Sequence, residues 1–295
     1  MSSPRVSVLV PVYRTHPDFL REAMRSVLNQ TFGDFELILL DDCPDDPRES
    51  VIREFDDPRI RYERNERNLG ITPSRNRLID LARGEYLAVF DHDDVCRADR
   101  LEKEVAWLDA HPECGVVSSW TRRIPANRLS KWPIENLKLA LMDGCVIAHT
   151  AAMVRKSLLT KLNLRYEERF SPAEDWGLWL QLAPHTEFHN IAEPLVDYRW
   201  FAGNTSHRQA EKMKLGSARA RAWAQTNLPD LYSEYLARAQ TVRRVRVLGI
   251  PLMKFVTHYN WTIGYLFNFI PILSVRSKTS LDWCREVRKV YNTAT

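Results

Sequence analysis

Three carboxylates and a histidine crowd the end of one apolar run. Residues 84–94 read GEYLAVFDHDD, so Asp91, His92, Asp93 and Asp94 follow a strand-like segment without a break. Like charges at that spacing repel one another unless something positive sits among them. An all-oxygen set of this kind suits a hard divalent cation such as Mg²⁺ or Mn²⁺, shared with a substrate phosphate. A second acidic pair, Asp41 and Asp42, closes the apolar run 35–40 (FELILL). One acid at a strand end is more often a turn residue or a helix cap. Two separate strand ends with paired acids point instead to a ligand site. The chain has no GxGxxG and no GxxxxGK[ST], which removes a dinucleotide fingerprint and a P-loop. Without a glycine cradle, a diphosphate needs a metal and basic side chains.

The elements that position these acids follow from hydrophobic spacing. Residues 6–10 form a continuous apolar run stopped by Pro11, which reads as a buried strand. Pro17 marks a helix start, and Phe19, Leu20, Ala23, Met24, Val27 and Leu28 recur at helical spacing. A strand over 35–40, a short helix over 46–55 and a strand near 60–63 come next. Thr72 and Pro73 stand in N-cap and first-turn order for another helix. Strand 86–90 then delivers Asp91, helix 99–111 follows, and strand 116–120 comes after it. Strands alternating with helices predict βαβ units and a mostly parallel, Rossmann-like sheet flanked by helices, with ligands at the carboxyl ends of its strands. Ser171 and Pro172 read as N-cap and first turn of a later helix. That places Asp175 where the helix dipole favours the ionised form.

Composition sets the outer bounds. The chain has 295 residues, 44% hydrophobic and 27% charged, with no low-complexity tract or internal repeat. Cys43, Cys96, Cys114, Cys145 and Cys284 are widely spaced and include no CxxC pair, the pattern of reduced thiols. The run 6–12 is too short for a signal peptide and leads straight into a domain, so a cytoplasmic protein is expected. From residue 201 onward there are 15 Lys and Arg against 5 Asp and Glu, whereas the first 200 residues carry 27 against 33. No motif that reads DNA or RNA accompanies the basic residues, and no nucleic-acid partner is expected.

Five blocks in order, VSVLVPVY, SVLNQTFGDFELILLDD, NLGITPSRN, ARGEYLAVFDHDD and AEDWGLWLQLA, resemble the family 2 inverting glycosyltransferases of the GT-A fold. The likeness spans residues 5 to about 206. It implies an enzyme that moves a sugar from a nucleoside-diphosphate donor, UDP or dTDP favoured, to an acceptor. The expected product is a cell-surface polysaccharide or a lipid-linked oligosaccharide, with a glycan or lipid-linked acceptor. It further implies that Pro11, Val12 and Tyr13 line the base and ribose pocket, and that Asp42 hydrogen-bonds the base. Arg75 and Asn76 contact base or diphosphate. Asp91, His92 and Asp93 occupy the DxD-type motif, with Asp93 ligating Mg²⁺ or Mn²⁺. Asp175 is the catalytic base. Glu174, Trp176, Arg199 and His149 are possible acceptor or sugar contacts, with His149 open also to a core role. The sequence departs from the family at Phe201, where many members carry a histidine; His207, Arg208 or Arg199 are the candidate substitutes.

The division expected is a GT-A domain over 1–210 and a basic, amphipathic helical region over 211–295. From Phe255 to Val275 there is no Asp, Glu, Lys or Arg, and Leu252, Phe255, Val256, Tyr259, Ile263, Leu266, Phe267 and Ile270 fall on one helical face. Basic clusters flank the stretch, with Trp261 and Tyr265 at headgroup level. The expectation is a helix lying on the inner face of the plasma membrane, or else docked on the catalytic domain or a second chain. The rival readings are a sugar-nucleotidyltransferase, which would want a glycine-rich basic N-terminal loop, and a non-catalytic nucleotide-sugar binder or membrane scaffold of the same fold.

Overall fold

The computed structural model describes residues 3–201, 203–204, 208–239, 241–247, 250–258, 261–266 and 270–276, with side chains as far as Arg238. The chain divides into two compact units, Met1–Trp223 and Ala224–Thr295.

The first unit is built on a nine-stranded sheet. Its first strands are β1 (Val6–Val12), β2 (Phe35–Asp41), β3 (Ile60–Arg64), β4 (Tyr86–Val89) and the short β5 (Val95–Cys96). β6 (Cys114–Ile124), β7 (Arg128–Ser130), β8 (Met153–Arg155) and β9 (Glu187–Arg199) complete it. Helices α1 (Pro17–Leu28), α2 (Glu49–Ile52), α3 (Ile71–Leu81) and α4 (Arg100–Ala110) connect the front strands. α5 (Leu137–Leu141), α6 (Lys156–Leu162) and α7 (Glu174–Leu182) lie in the back half. The sheet order is β3-β2-β1-β4-β8-β6-β9-β5, with β7 on β6. The four front strands pair in parallel, as their βαβ spacing requires. Beyond β4 the sheet is mixed, because β8 enters antiparallel to both β4 and β6.

β1, β2 and β4 are buried at every residue. That is what continuous apolar runs produce when helices cover both faces. α1 begins at Pro17, with His16 Nδ1 accepting from the Asp18 amide at 3.3 Å, and buries Leu20, Ala23, Met24 and Val27. Two helix starts differ from expectation. α3 begins at Ile71, not Thr72, because Gly70 holds φ +87° and reverses the chain there. α7 is capped by Ala173, so Ser171 is not its N-cap, yet Asp175 still falls in its first turn. The helix expected over 46–55 shrinks to the four residues of α2.

The end of β4 is fixed from behind by a charge. Arg100 and Glu104 are both fully buried and paired at 3.1 Å. Arg100 Nη2 also donates to the carbonyls of Val89 (2.9 Å) and Ala152 (3.3 Å), tying the last residue of β4 to the entry of β8. Burial pushes the Glu104 carboxyl up to about 7, against the pull of Arg100.

The second unit contains α9 (Pro229–Ala239) and part of α8 (Ala210–Asn227), where the basic tail was expected to be helical, but the expected helix does not continue over 241–247, which is a strand. The stretch read as an amphipathic helix is different. Its described residues lie in a four-stranded antiparallel sheet of β10 (Thr241–Val247), β11 (Ile250–His258), β12 (Trp261–Leu266) and β13 (Ile270–Arg276). Phe255, Val256, Thr257, Trp261, Thr262 and Ile263 are β-formers, Pro271 would break a helix, and His258 pairs with Trp261 at a hairpin end. The helical face that supported membrane docking is therefore not formed. Tyr259, Phe267 and residues 277–295 lie outside the described residues. No helix among the described residues is long and apolar enough to cross a membrane.

Replacing one member of the buried pair tests its role. Arg100→Met leaves Glu104 buried and unpaired and is expected to cost about 3–5 kcal/mol in urea unfolding. Adding Glu104→Leu should restore most of that loss. A single variant as stable as the unsubstituted protein would contradict the assignment.

Candidate active site

The DHDD segment is a tight turn. The Asp94 amide donates to the Asp91 carbonyl at 3.3 Å, and the Asp91 amide donates to Thr150 Oγ1 at 3.1 Å. Arg199, the last residue of β9, closes the turn from the other side. Its amide donates to Asp94 Oδ1 (2.8 Å) and its Nε to the Asp93 carbonyl (2.7 Å), with the guanidinium over the Phe19 ring at 4.1 Å. Asp94 is fully buried, and its Oδ2 has no hydrogen-bond partner. Burial, reinforced by Asp91 and Asp93, raises its pKa well above the usual carboxylate range. Burial also raises Asp93, opposed by His92 and reinforced by Asp91. This is a cluster of hard oxygen donors, the chemistry a divalent cation takes. Among the described residues no three His, Cys, Asp or Glu side chains are arranged to hold a metal by themselves. A cation here would complete its shell with phosphate oxygens and water.

Arg75 links this turn to the acids at the start of α7. Its Nη1 donates to Glu174 Oε1 at 2.5 Å, and its Nη2 lies 3.7 Å from Asp91 Oδ1. Burial opposes the guanidinium's charge, but Glu174 and Asp91 outweigh it and raise its pKa. Asp175 sits beside this chain. The Trp176 amide donates to its Oδ1 at 2.7 Å, and Cys145 Sγ lies 3.8 Å from its Oδ2. Burial, reinforced by Glu174, pushes the Asp175 carboxyl up to about 6, and Arg75 pulls it back. His149 Nε2 lies 3.0 Å from the Tyr166 hydroxyl. Burial, helped by Arg75 and Arg100, drives its pKa well down, so the ring is neutral.

The residues assigned to the donor side occupy carboxyl ends of β1 and β2. Pro11 and Val12 are buried, and Tyr13 is exposed beyond them. Asp42 accepts from the Leu69 and Gly70 amides, each at 2.8 Å, and from Asn65 Nδ2 at 2.7 Å. It thus shapes the loop leading into α3. Asn76 makes two hydrogen bonds with the Tyr166 backbone, each 2.9 Å, so it holds that loop in place.

A mixed sheet with three acidic clusters at its strand ends and helix starts is now in view, and comparison with known proteins supplies the kinship. Residues 7–166, more than half of the chain, match the profile of Glycosyl transferase family 2. The chain belongs to that family. It is 32% identical over 210 residues to an uncharacterised glycosyltransferase of Methanocaldococcus jannaschii, covering 68% of this chain and 72% of the relative. It is 24% identical to WfgD of Escherichia coli, a UDP-Glc:α-D-GlcNAc-diphosphoundecaprenol β-1,3-glucosyltransferase, covering 83% of this chain and 93% of that one. The fold matches S. aureus TarS in complex with UDP, at a TM-score of 0.61 and 19% identity over 79% of this chain and 71% of TarS. It also matches a mannosyltransferase of Pyrobaculum calidifontis in complex with GDP-Man and Mn²⁺, at 0.54 and 19% over 81% and 76%. Against two longer curated relatives the chain spans only 27% and 36% of their length.

Within this glycosyltransferase fold, Arg75, Asp91, Glu174 and Asp175 come together. Trp176 is buried, with its indole N–H on the Leu141 carbonyl at 2.8 Å, and Arg221 lies over its ring at 5.5 Å. Phe201 is exposed and packs edge-on against Phe19. Of its proposed substitutes, Arg199 reaches the DHDD turn, Arg208 is exposed, and His207 lies outside the described residues. Sequence reasoning gave no role to Thr150, Tyr166 or Cys145, since no local pattern places them beside the acids. Asp94 was visible in the run but unassigned.

Asp42→Ala should remove the acceptor for two backbone amides and cost about 1.5–3 kcal/mol of stability. Hydrogen exchange at Leu69 and Gly70 should speed up; unchanged exchange at both would contradict the bracing role.

Proposed function

We propose that this glycosyltransferase moves a sugar from a nucleoside-diphosphate donor to an acceptor hydroxyl with inversion at the anomeric carbon. One observation carries the reading: Asp175, a partly buried carboxyl pushed up to about 6, adjoins the Glu174–Arg75–Asp91 chain that leads to the DHDD turn. Inversion in one step needs a single base on the face opposite the leaving group. As the acceptor oxygen bonds to the anomeric carbon, the bond to the diphosphate breaks and Asp175 takes the hydroxyl proton. A base with a pKa near neutrality takes that proton readily and remains ionised at pH 7.

Asp93 is assigned as the protein's metal ligand, with Asp91 beside the ribose and the metal's waters. A bound Mg²⁺ or Mn²⁺ would neutralise charge on the departing diphosphate. The all-oxygen donor set and the unpartnered Asp94 Oδ2 support that assignment. Pro11, Val12, Tyr13 and Asp42 are assigned to the base. A carboxylate offers about four acceptor sites. Asp42 uses three on its loop, which leaves one for a pyrimidine N–H. The UDP named for TarS and WfgD supports a uracil or thymine donor. WfgD's named substrate, a sugar on diphosphoundecaprenol, supports a lipid-linked acceptor.

Donor hydrolysis across UDP-, dTDP- and GDP-sugars, with Mn²⁺, Mg²⁺ or EDTA, tests the reading. One nucleoside diphosphate should be released, and EDTA should suppress its release. Asp93→Ala should abolish the response to metal. Asp175→Asn should lower kcat by about 10²–10⁴-fold while donor Kd stays constant. A base works ionised, so kcat should fall as pH drops through about 6. Full turnover in Asp175→Asn would exclude Asp175 as the base.

A further inference from the structure

We propose that Cys145 is a positioning residue for the transfer reaction, its thiol donating a hydrogen bond to the reactive carboxylate of Asp175. This rests on the reading of Asp175 as the base. Asp175 has two hydrogen bonds among the described residues. The Trp176 amide holds Oδ1 at 2.7 Å, which comes from the backbone of the same helix turn. Cys145 Sγ, 3.8 Å away, faces Oδ2 from a different part of the chain.

The loop geometry holds the sulfur there. Cys145 Sγ also lies 3.4 Å from the Ile147 carbonyl, two residues ahead, so its one proton is shared between that carbonyl and Asp175 Oδ2, and the donation to Asp175 is partial. Three residues on, Ala148 leads into the 3₁₀ turn His149–Ala151, whose Thr150 supports the Asp91 amide. The Cys145 loop therefore touches both the base and the end of the strand that carries the DHDD turn. Burial, reinforced by Asp175, raises the thiol's pKa well above its usual value, so Cys145 stays protonated and remains a donor.

A weak donor is what this carboxylate needs. The groups around Asp175 are Glu174 on its own helix, Arg75 on α3, Asp91 after β4, and the Tyr166 phenol. Glu174 and Asp91 favour the neutral acid, and Arg75 favours the ion. A hydrogen bond from Cys145 adds to the Arg75 side. It also orients Oδ2 without quenching its basicity, since a thiol is a poor donor. A hydroxyl or ammonium donor there would lower the pKa further and weaken the base.

The test is the kcat–pH profile of the full chain in the unsubstituted, Cys145→Ala and Cys145→Ser forms, with Asp175→Asn alongside and thermal unfolding as a check on folding. Cys145→Ala should shift the acid limb upward by about half to one pH unit, which is about a three- to tenfold loss of rate below the limb. Donor KM should stay constant. Cys145→Ser keeps a donor and should hold the limb at or below its original position. If Cys145→Ala does not fold, the serine form still decides: an upward shift overturns the proposal. An acid limb that stays put in both variants, while Asp175→Asn abolishes turnover, refutes the role of Cys145 and leaves the base intact. Full turnover in Asp175→Asn refutes both.

Discussion

Arg75 stands between carboxylates from two distant parts of the chain, Glu174 at the start of α7 and Asp91 at the end of β4. The guanidinium is mostly buried, where an unpaired charge would be costly. Its two partners keep it charged, and it in turn keeps both acids close together. The rest of the site is arranged around that contact. Asp42 shapes the loop that starts α3 and so places Arg75. Arg100 fixes the end of β4 and so places Asp91. Asn76 holds Tyr166, whose ring packs near Arg75.

In the proposed reaction the same chain of charges separates the acids into two kinds of work. The DHDD carboxylates lie in one turn, where burial and neighbouring acids raise Asp93 and Asp94, which supports the proposed role of the turn in holding a cation. Asp175 lies past Arg75, deep enough for burial to raise it and near enough to the guanidinium to remain ionisable. Environment thus assigns roles to side chains of identical chemistry.

Much of the fold was legible in the sequence because local and tertiary signals agreed. The runs VSVLV, FELILL and YLAV are apolar without a break, and all became buried strands at the heart of the sheet. Helix starts were less legible. Gly70 and Ala173, not Thr72 and Ser171, stand at the N-caps, and at Gly70 a positive φ and a long-range bond to Asp42 set the boundary. The stretch 255–275 satisfied a helical period and a strand composition at once, and composition prevailed. In the site, Asp91, Asp93 and Asp175 announced themselves through neighbours in sequence. Cys145, Thr150 and Tyr166 did not, since their partners lie 30, 59 and 17 residues away. Such contacts come from topology, and one sequence carries no local trace of them.

The central claim is a one-step displacement assisted by one carboxylate base. The anomeric outcome tests it most directly. An α-linked nucleotide sugar turned over in the presence of methanol should give the β-methyl glycoside, identified by its anomeric proton coupling in NMR. An α-methyl glycoside would show retention, which a single base at Asp175 does not produce, and would contradict the account.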